Sequence, residues 1–282
     1  MRRYRILLLG VLFTLAFAAA LLYVSEAVHR EDDALNRIRR TGVLRVGYAV
    51  EEPYAFIRPD LTVTGESAET ARLVARQLGV RTIEWIQVSF GSLIPELLSD
   101  RFDVIAAGMF VTPARRERVA FSAPSLRVAS GLLVRAEAMR GQPAVVDWVR
   151  HAGGRIATLN GAVEQDRLLA LGVPATRLMS VSSASIGREA LQEGAVQALA
   201  LSWPTVHAMQ REVGATFTAH RLQLPGNEAH DEVAFAFDPR QRALLRAWNQ
   251  ALAAIRGTPE HLQTLRPFGL GAADVPSGQA GD

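Results

Sequence analysis

Hydrophobic positions along the chain switch repeatedly between period two and the 3.6-residue period of a helix. Residues 43–50, VLRVGYAV, alternate and are rich in β-branched side chains, which predicts a strand that stops before Pro53. Residues 66–78 place Ala71, Val74, Ala75 and Leu78 on one helical face, closed by Gly79. A second strand is expected over residues 82–88. Another helix opens at residues 90–92, with Ser92 as its N-cap and Pro95 in its first turn. Residues 102–107 predict a third strand. The order β-α-β-α-β indicates an α/β unit built on a parallel sheet.

The same alternation then starts again. Residues 127–134 predict one strand, and the chain loosens over 137–143, where a crossover to a second unit is expected. That unit has a strand over 155–159, an Asn160-Gly161 junction into a helix, a helix over 182–193 and a strand over 195–201. Ser202-Trp203-Pro204 leads into a further helix. Residues 224–231, with Pro225 and Gly226, read as a return linker to a strand over 232–237 and helices over 239–256 and 258–265. The expected division is one lobe from residues 32–134 plus 231–270, a second from 135–230, and a disordered tail over 271–282. Two crossovers between two α/β halves imply a hinge and a cleft that closes on a ligand.

The N-terminus changes this picture. MRRYR precedes the apolar run of residues 6–24, and Ser25-Glu26-Ala27 offers a small-x-small cleavage site. Residues 1–27 read as an export signal or a retained membrane anchor, which puts the remainder outside the cytoplasm, in the periplasm. All 31 basic residues are arginines, set against 28 acids for a net charge of +3. Beyond the N-terminus they are interspersed with acids, so no nucleic-acid stripe forms. With no cysteine there is no disulfide, thiolate metal site or cysteine nucleophile. The six histidines lack metal-site spacing, and neither metal nor cofactor is expected. No G-x-S-x-G or Ser-Lys nucleophile motif occurs.

Candidate chemistry gathers where predicted strands end, the place at which open α/β sheets bind ligands. Residues 103–126 run from an apolar strand through Phe110, Thr112 and Arg115. A guanidinium there can clamp a carboxylate bidentately, or be one more solvated surface charge. Glu51, Glu52 and Tyr54 follow the first strand, as cleft residues or as a polar turn. Gly161 and Glu164 stand where a helix N-terminus attracts anions, although an acid in a first turn stabilises any helix.

The pieces together resemble the bacterial extracellular solute-binding proteins of family 3, receptors of polar amino-acid ABC importers. The resemblance runs over residues 32–270 and rests on T-P-x-R with F-S-x-P at residues 112–124, the helix ending in Gly257-Thr258, VLRVGYA, and LLSDRFDVIAAG. It implies a two-lobed, Venus-flytrap α/β fold, each lobe a mostly parallel sheet flanked by helices. It also implies a monomeric receptor that hands its ligand to an inner-membrane ABC permease. By the family pattern Arg115 clamps the ligand carboxylate. Ser202 stands where the family usually carries the aspartate that holds an α-amino group. A bare ammonium buried there without a carboxylate would be costly.

A subgroup that binds ectoine and hydroxyectoine is a closer likeness. It is similar at Glu51-Glu52-Pro53-Tyr54, at Phe90-Gly91-Ser92-Leu93-Ile94-Pro95, at Ala106-Ala107-Gly108-Met109-Phe110 and at Pro267-Phe268-Gly269. The resemblance implies that Glu51 meets the ring N–H groups of the ligand and that Tyr54, Phe90 and Phe110 form an aromatic cage. Phe90 departs from the subgroup's tyrosine. Aromatic faces around a delocalised cation contribute on the order of 0.5–2 kcal/mol each. Glu164 and the backbone at Gly161 are expected to close from the second lobe. Two other readings stay open: a dehydratase of the cyclohexadienyl or prephenate type, with a glutamate as general acid, and a membrane-anchored solute sensor.

Overall fold

The computed structural model describes residues 33–141, 144–151, 154–222 and 231–276. The expected signal or anchor, most of the return linker and residues 277–282 of the tail lie outside the described residues.

Helix α1 (Asp33–Thr41) lays Ala34, Leu35 and Ile38 on the core and leads into β1 (Val43–Tyr48). A small hairpin, β2 (Phe56–Ile57) and β3 (Val63–Thr64), precedes α2 (Glu66–Gln77) and β4 (Thr82–Gln87). Next come a 3-10 turn (Phe90–Ser92) and α3 (Leu93–Leu98). Then follow β5 (Val104–Ile105), α4 (Pro113–Arg116), β6 (Ala120–Phe121) and β7 (Leu126–Val128). The second lobe carries β8 (Ser130–Arg135), α5 (Val145–His151), β9 (Ile156–Leu159), α6 (Val163–Ala170) and β10 (Leu178–Val181). It continues through α7 (Ala184–Glu193), β11 (Ala198–Ser202), α8 (Trp203–Val213) and β12 (Phe217–Leu222). The chain returns through β13 (Asp231–Val233) and β14 (Ala236–Phe237) to α9 (Arg242–Ile255) and α10 (Pro259–Leu265).

There are two five-stranded sheets, in the orders β4-β1-β5-β14-β6 and β10-β9-β11-β8-β12. β1 pairs in parallel with β4 and β5, whereas β14 is antiparallel to both of its neighbours. In the second sheet β9 pairs in parallel with β10 and β11, and β8 is antiparallel to β11 and β12. One reversed strand, fourth in order, therefore sits in each otherwise parallel sheet. This is the mostly parallel two-lobed α/β architecture expected.

Between the sheets lies a two-stranded ribbon in which β7 and β13 run antiparallel, Leu126 opposite Val233 and Val128 opposite Asp231. The sequence pattern predicts single strands over 127–134 and 232–237, but each is broken and serves two partners. The break at Ala129 places β8 wholly in the second sheet, so the chain crosses before Ser130 rather than over 137–143. The cause is geometric: a strand that leaves one sheet for another must give up its ladder at the bend.

Other expectations change in detail. Ser92 does not cap its helix; it is already helical, and its hydroxyl meets that of Ser89 at 2.7 Å. The tail does not begin at 271. Ala272–Asp274 form a 3-10 turn, Asp274 accepts from the Gly271 N–H at 2.9 Å, and Val275 packs on the hinge cluster. Strands β10 and β12 and helix α5 are additional elements.

Phe90, Leu93 and Met109 of the first lobe share one buried cluster with Leu159, Leu199 and Leu201 of the second. The lobes are packed closed. Separate clusters stabilise their outer faces, one around Trp248, Phe235 and Phe237, the other around Trp148, Leu132 and Leu168. Among the described residues no helix is long and apolar enough to cross a membrane.

Candidate functional site

Past the end of β1 the chain folds back tightly. The Glu51 N–H donates to the Ala55 carbonyl at 2.8 Å and the Tyr54 N–H to the Glu51 carbonyl at 2.9 Å. This turn presents Glu51 and Tyr54 to the other lobe. The Tyr54 ring lies directly on Gly108, whose φ is +62° and where a Cβ would stand 2.4 Å from the ring. Only glycine fits between that ring and the strand end. The Tyr54 hydroxyl donates to Ser202 Oγ at 2.9 Å.

Arg115 belongs to the short helix α4, capped by Thr112, whose Oγ1 accepts from the Arg115 N–H at 3.2 Å. Its guanidinium donates to the Phe110 carbonyl at 2.6 Å and, across the cleft, to the Gly161 carbonyl at 2.9 Å. It also lies 5.6 Å from the centre of the Phe90 ring. Arg115 forms no ion pair among the described residues. Burial pushes its pKa down, against the attraction of Glu164 and Asp166.

From the second lobe Glu164 enters in the first turn of α6, buried, and accepts from Ser130 Oγ at 3.0 Å. Burial raises its pKa, while its own backbone N–H, Arg167 and Arg115 pull it down. Glu51 is buried too, and desolvation with the nearby Glu164 pushes it up to about 7 against a hydrogen bond from Thr205. Gly161 has a φ of +77°, and a Cβ on it would come within 3.1 Å of Gly91 Cα in the first lobe.

Seven of the eight residues singled out from the sequence line one cavity: Glu51, Tyr54, Phe90, Phe110, Arg115, Glu164 and Ser202. Gly161 reaches it through its carbonyl contact with Arg115. The cavity measures about 20 Å³, enough for roughly one water. The aromatic residues do not stand as an open cage. Arg115 covers Phe90, and Arg167 lies 5.5 Å from the centre of the Phe110 ring.

Sequence reasoning did not single out Thr205, Arg167 and Ser130. Thr205 Oγ1 donates to Glu51 Oε1 at 2.8 Å. Arg167 donates to Ser130 Oγ at 2.6 Å and pairs with Asp231 at 2.5 Å, so it joins β8 and the hinge strand β13 to the cleft. Their spacing carries no motif, although Thr205, three residues past Ser202, fits an N-cap turn. Among the described residues no group of three or more His, Cys, Asp or Glu could hold a metal ion. The site offers one cation donor and two carboxylates inside a cleft that two lobes share, an arrangement suited to a small molecule with both charges.

The family model for bacterial extracellular solute-binding proteins, family 3, matches residues 44–268. The chain belongs to this family. A probable amino-acid ABC transporter periplasmic-binding protein of Sinorhizobium fredii is 30% identical over 259 residues, 89% of this chain and 85% of that protein. A cyclohexadienyl dehydratase of Pseudomonas aeruginosa is 27% identical over 113 residues, 40% of this chain and 42% of the enzyme. Among solved structures, EhuB in complex with hydroxyectoine superposes with a TM-score of 0.77 at 24% identity, covering 86% of this chain and 94% of that one. At that identity the likeness shows the shared fold. As a family 3 solute-binding protein, the chain is of a kind that works outside the cytoplasm beside ABC transporters.

Proposed function

We propose that this family 3 protein is the receptor of an ABC importer and captures a small zwitterion between its lobes. Arg115 carries the reading: it is a half-buried guanidinium, held by carbonyls of both lobes, and it faces Glu51 and Glu164 across the cavity without an acid of its own. A ligand carboxylate is a stronger partner than a carbonyl, because it brings a full opposite charge and two oxygens that match the guanidinium fork. The ligand's cationic end goes to Glu51. Ser202, in place of an acid, favours an ectoine-like cyclic cation flanked by Tyr54, Phe90 and Phe110 over an ordinary α-amino acid. The cavity is too small for such a solute, so entry requires the lobes to part and close again. The N-terminal run exports the chain or tethers it, and the loaded monomer delivers its ligand to a permease in the inner membrane.

A thermal-shift panel of ectoine, hydroxyectoine, glycine betaine, arginine, histidine and glutamate tests this. A tight ligand raises the unfolding midpoint by mass action. A shift by ectoine-type solutes is expected; shifts confined to charged amino acids would replace that ligand class, and no shift at all would remove the receptor reading. A second reading follows from Glu51, a buried acid pushed up to about 7 in the cleft, a value suited to general acid catalysis. Together with the likeness to cyclohexadienyl dehydratase over 113 residues, it predicts turnover of prephenate. Prephenate that passes through unchanged sets it aside.

A further inference from the structure

Glu51 is joined to three hydroxyl groups by a chain of hydrogen bonds that crosses the cleft twice. Tyr54 OH meets Ser202 Oγ at 2.9 Å, Ser202 Oγ meets Thr205 Oγ1 at 2.9 Å, and Thr205 Oγ1 meets Glu51 Oε1 at 2.8 Å. All four residues are buried. The direction of the chain follows from counting lone pairs. Ser202 Oγ already accepts from the Tyr54 hydroxyl and, at 3.3 Å, from the Thr205 N–H. With both lone pairs used, its own proton goes to Thr205 Oγ1. Thr205 in turn gives its proton to Glu51. Every hydroxyl therefore points toward the carboxylate, and Oε1 is capped. Oε2 has no hydrogen-bond donor among the described residues.

We infer that Thr205 is a positioning residue that reaches from the second lobe to hold Glu51 ionised, with one oxygen left to accept an N–H from the ligand's cationic end. The inference rests on the zwitterion-receptor reading for its ligand and on the hydroxyl chain for its geometry. It assigns the work of the absent acid at position 202 to a carboxylate of the opposite lobe, steadied through the hydroxyl that replaced it. Burial acts most strongly against ionisation of Glu51, the hydrogen bond from Thr205 acts for it, and Glu164, on α6, adds a smaller opposition. Tyr54 stays neutral, since burial pushes its hydroxyl well above 10. A quaternary ammonium has no N–H to offer Oε2, so the device selects protonated amidinium or ammonium groups over trimethylammonium groups.

The test uses the full chain as wild type, Thr205→Val and Thr205→Ser. Carbon-13 NMR follows the Glu51 carboxyl with pH in the free protein, and calorimetry follows ectoine and glycine betaine. Thr205→Val is expected to raise the Glu51 midpoint by about one pH unit, a tenfold change in proton affinity. It should also weaken ectoine about tenfold at pH 7, the effect of losing one hydrogen bond to a charged group. Thr205→Ser should restore both, and betaine, which has no N–H for Oε2, should lose less affinity than ectoine in Thr205→Val. A purely structural role for Thr205 would leave the Glu51 midpoint unmoved, and that result overturns the inference. Should the midpoint move while wild type binds no zwitterion, the hydroxyl device stands and the receptor reading falls.

Discussion

Arg115 donates from the first lobe to the main-chain carbonyl of Gly161 in the second, at 2.9 Å. That bond closes the cleft with the same guanidinium that the receptor reading assigns to the ligand. Closure and binding thus compete for one group. A carboxylate that displaces the carbonyl must still let the lobes approach, and Gly161 makes this possible by having no side chain.

Gly161→Ala should therefore act as a wedge. Its φ of +77° disfavours alanine, and the new Cβ would lie 3.1 Å from Gly91 Cα. Affinity for whichever zwitterion gives the largest thermal shift should fall roughly tenfold, the effect of about 1.4 kcal/mol lost from closure. Small-angle scattering of the liganded variant should show a larger radius of gyration than liganded wild type. Unchanged affinity would mean that closure does not bring these glycines together.

Glu66 predicts a pH dependence. It is fully buried at the start of α2, bonded to Ser67 and Thr70, and burial pushes it from 4.5 up to about 7. The folded state therefore holds a proton that the unfolded chain releases. The resulting stabilisation is complete below about pH 4.5 and is lost as pH rises through about 7. It amounts to on the order of 3 kcal/mol. His261, lowered by burial and by Arg256, works in the opposite direction at acid pH. Comparing denaturant midpoints of wild type and Glu66→Gln at pH 5.5 and pH 8 isolates the glutamate. The variant should gain stability relative to wild type at pH 8; parallel curves would contradict the shift.

Trp248 anchors the first lobe. It is fully buried, 4.9 Å from Phe235 and 5.4 Å from Phe237 between ring centroids. Trp248→Ala should cost about 3–5 kcal/mol by chemical denaturation. Trp248→Phe should cost markedly less, because the buried Nε1 has no hydrogen-bond partner to lose. Equal losses would show that the size of the cavity left behind does not set the cost.

Much of this molecule was legible in the chain. Val43 to Tyr48 and Ala71 to Leu78 announced themselves because burial of one face imposes a fixed period. Arg115, one of three arginines over 115–118, was set apart only by the family pattern of T-P-x-R before F-S-x-P. What escaped detection depends on partners distant in sequence. The breaks at Ala129 and before Ala236 follow from which sheet each strand joins, and no local preference marks them. Strand β12 carries Thr218, His220 and Arg221, a polar run that pairs with β8 only once the second lobe is assembled. Thr205 is an ordinary first-turn threonine until Glu51 arrives from 154 positions away.

The most direct test is calorimetric titration of ectoine into wild type and Arg115→Ala. Saturable one-to-one binding to wild type is expected, with at least a hundredfold weaker binding to the variant, the loss when one partner of a desolvated charge pair is removed. Equal affinity in the two proteins would contradict it.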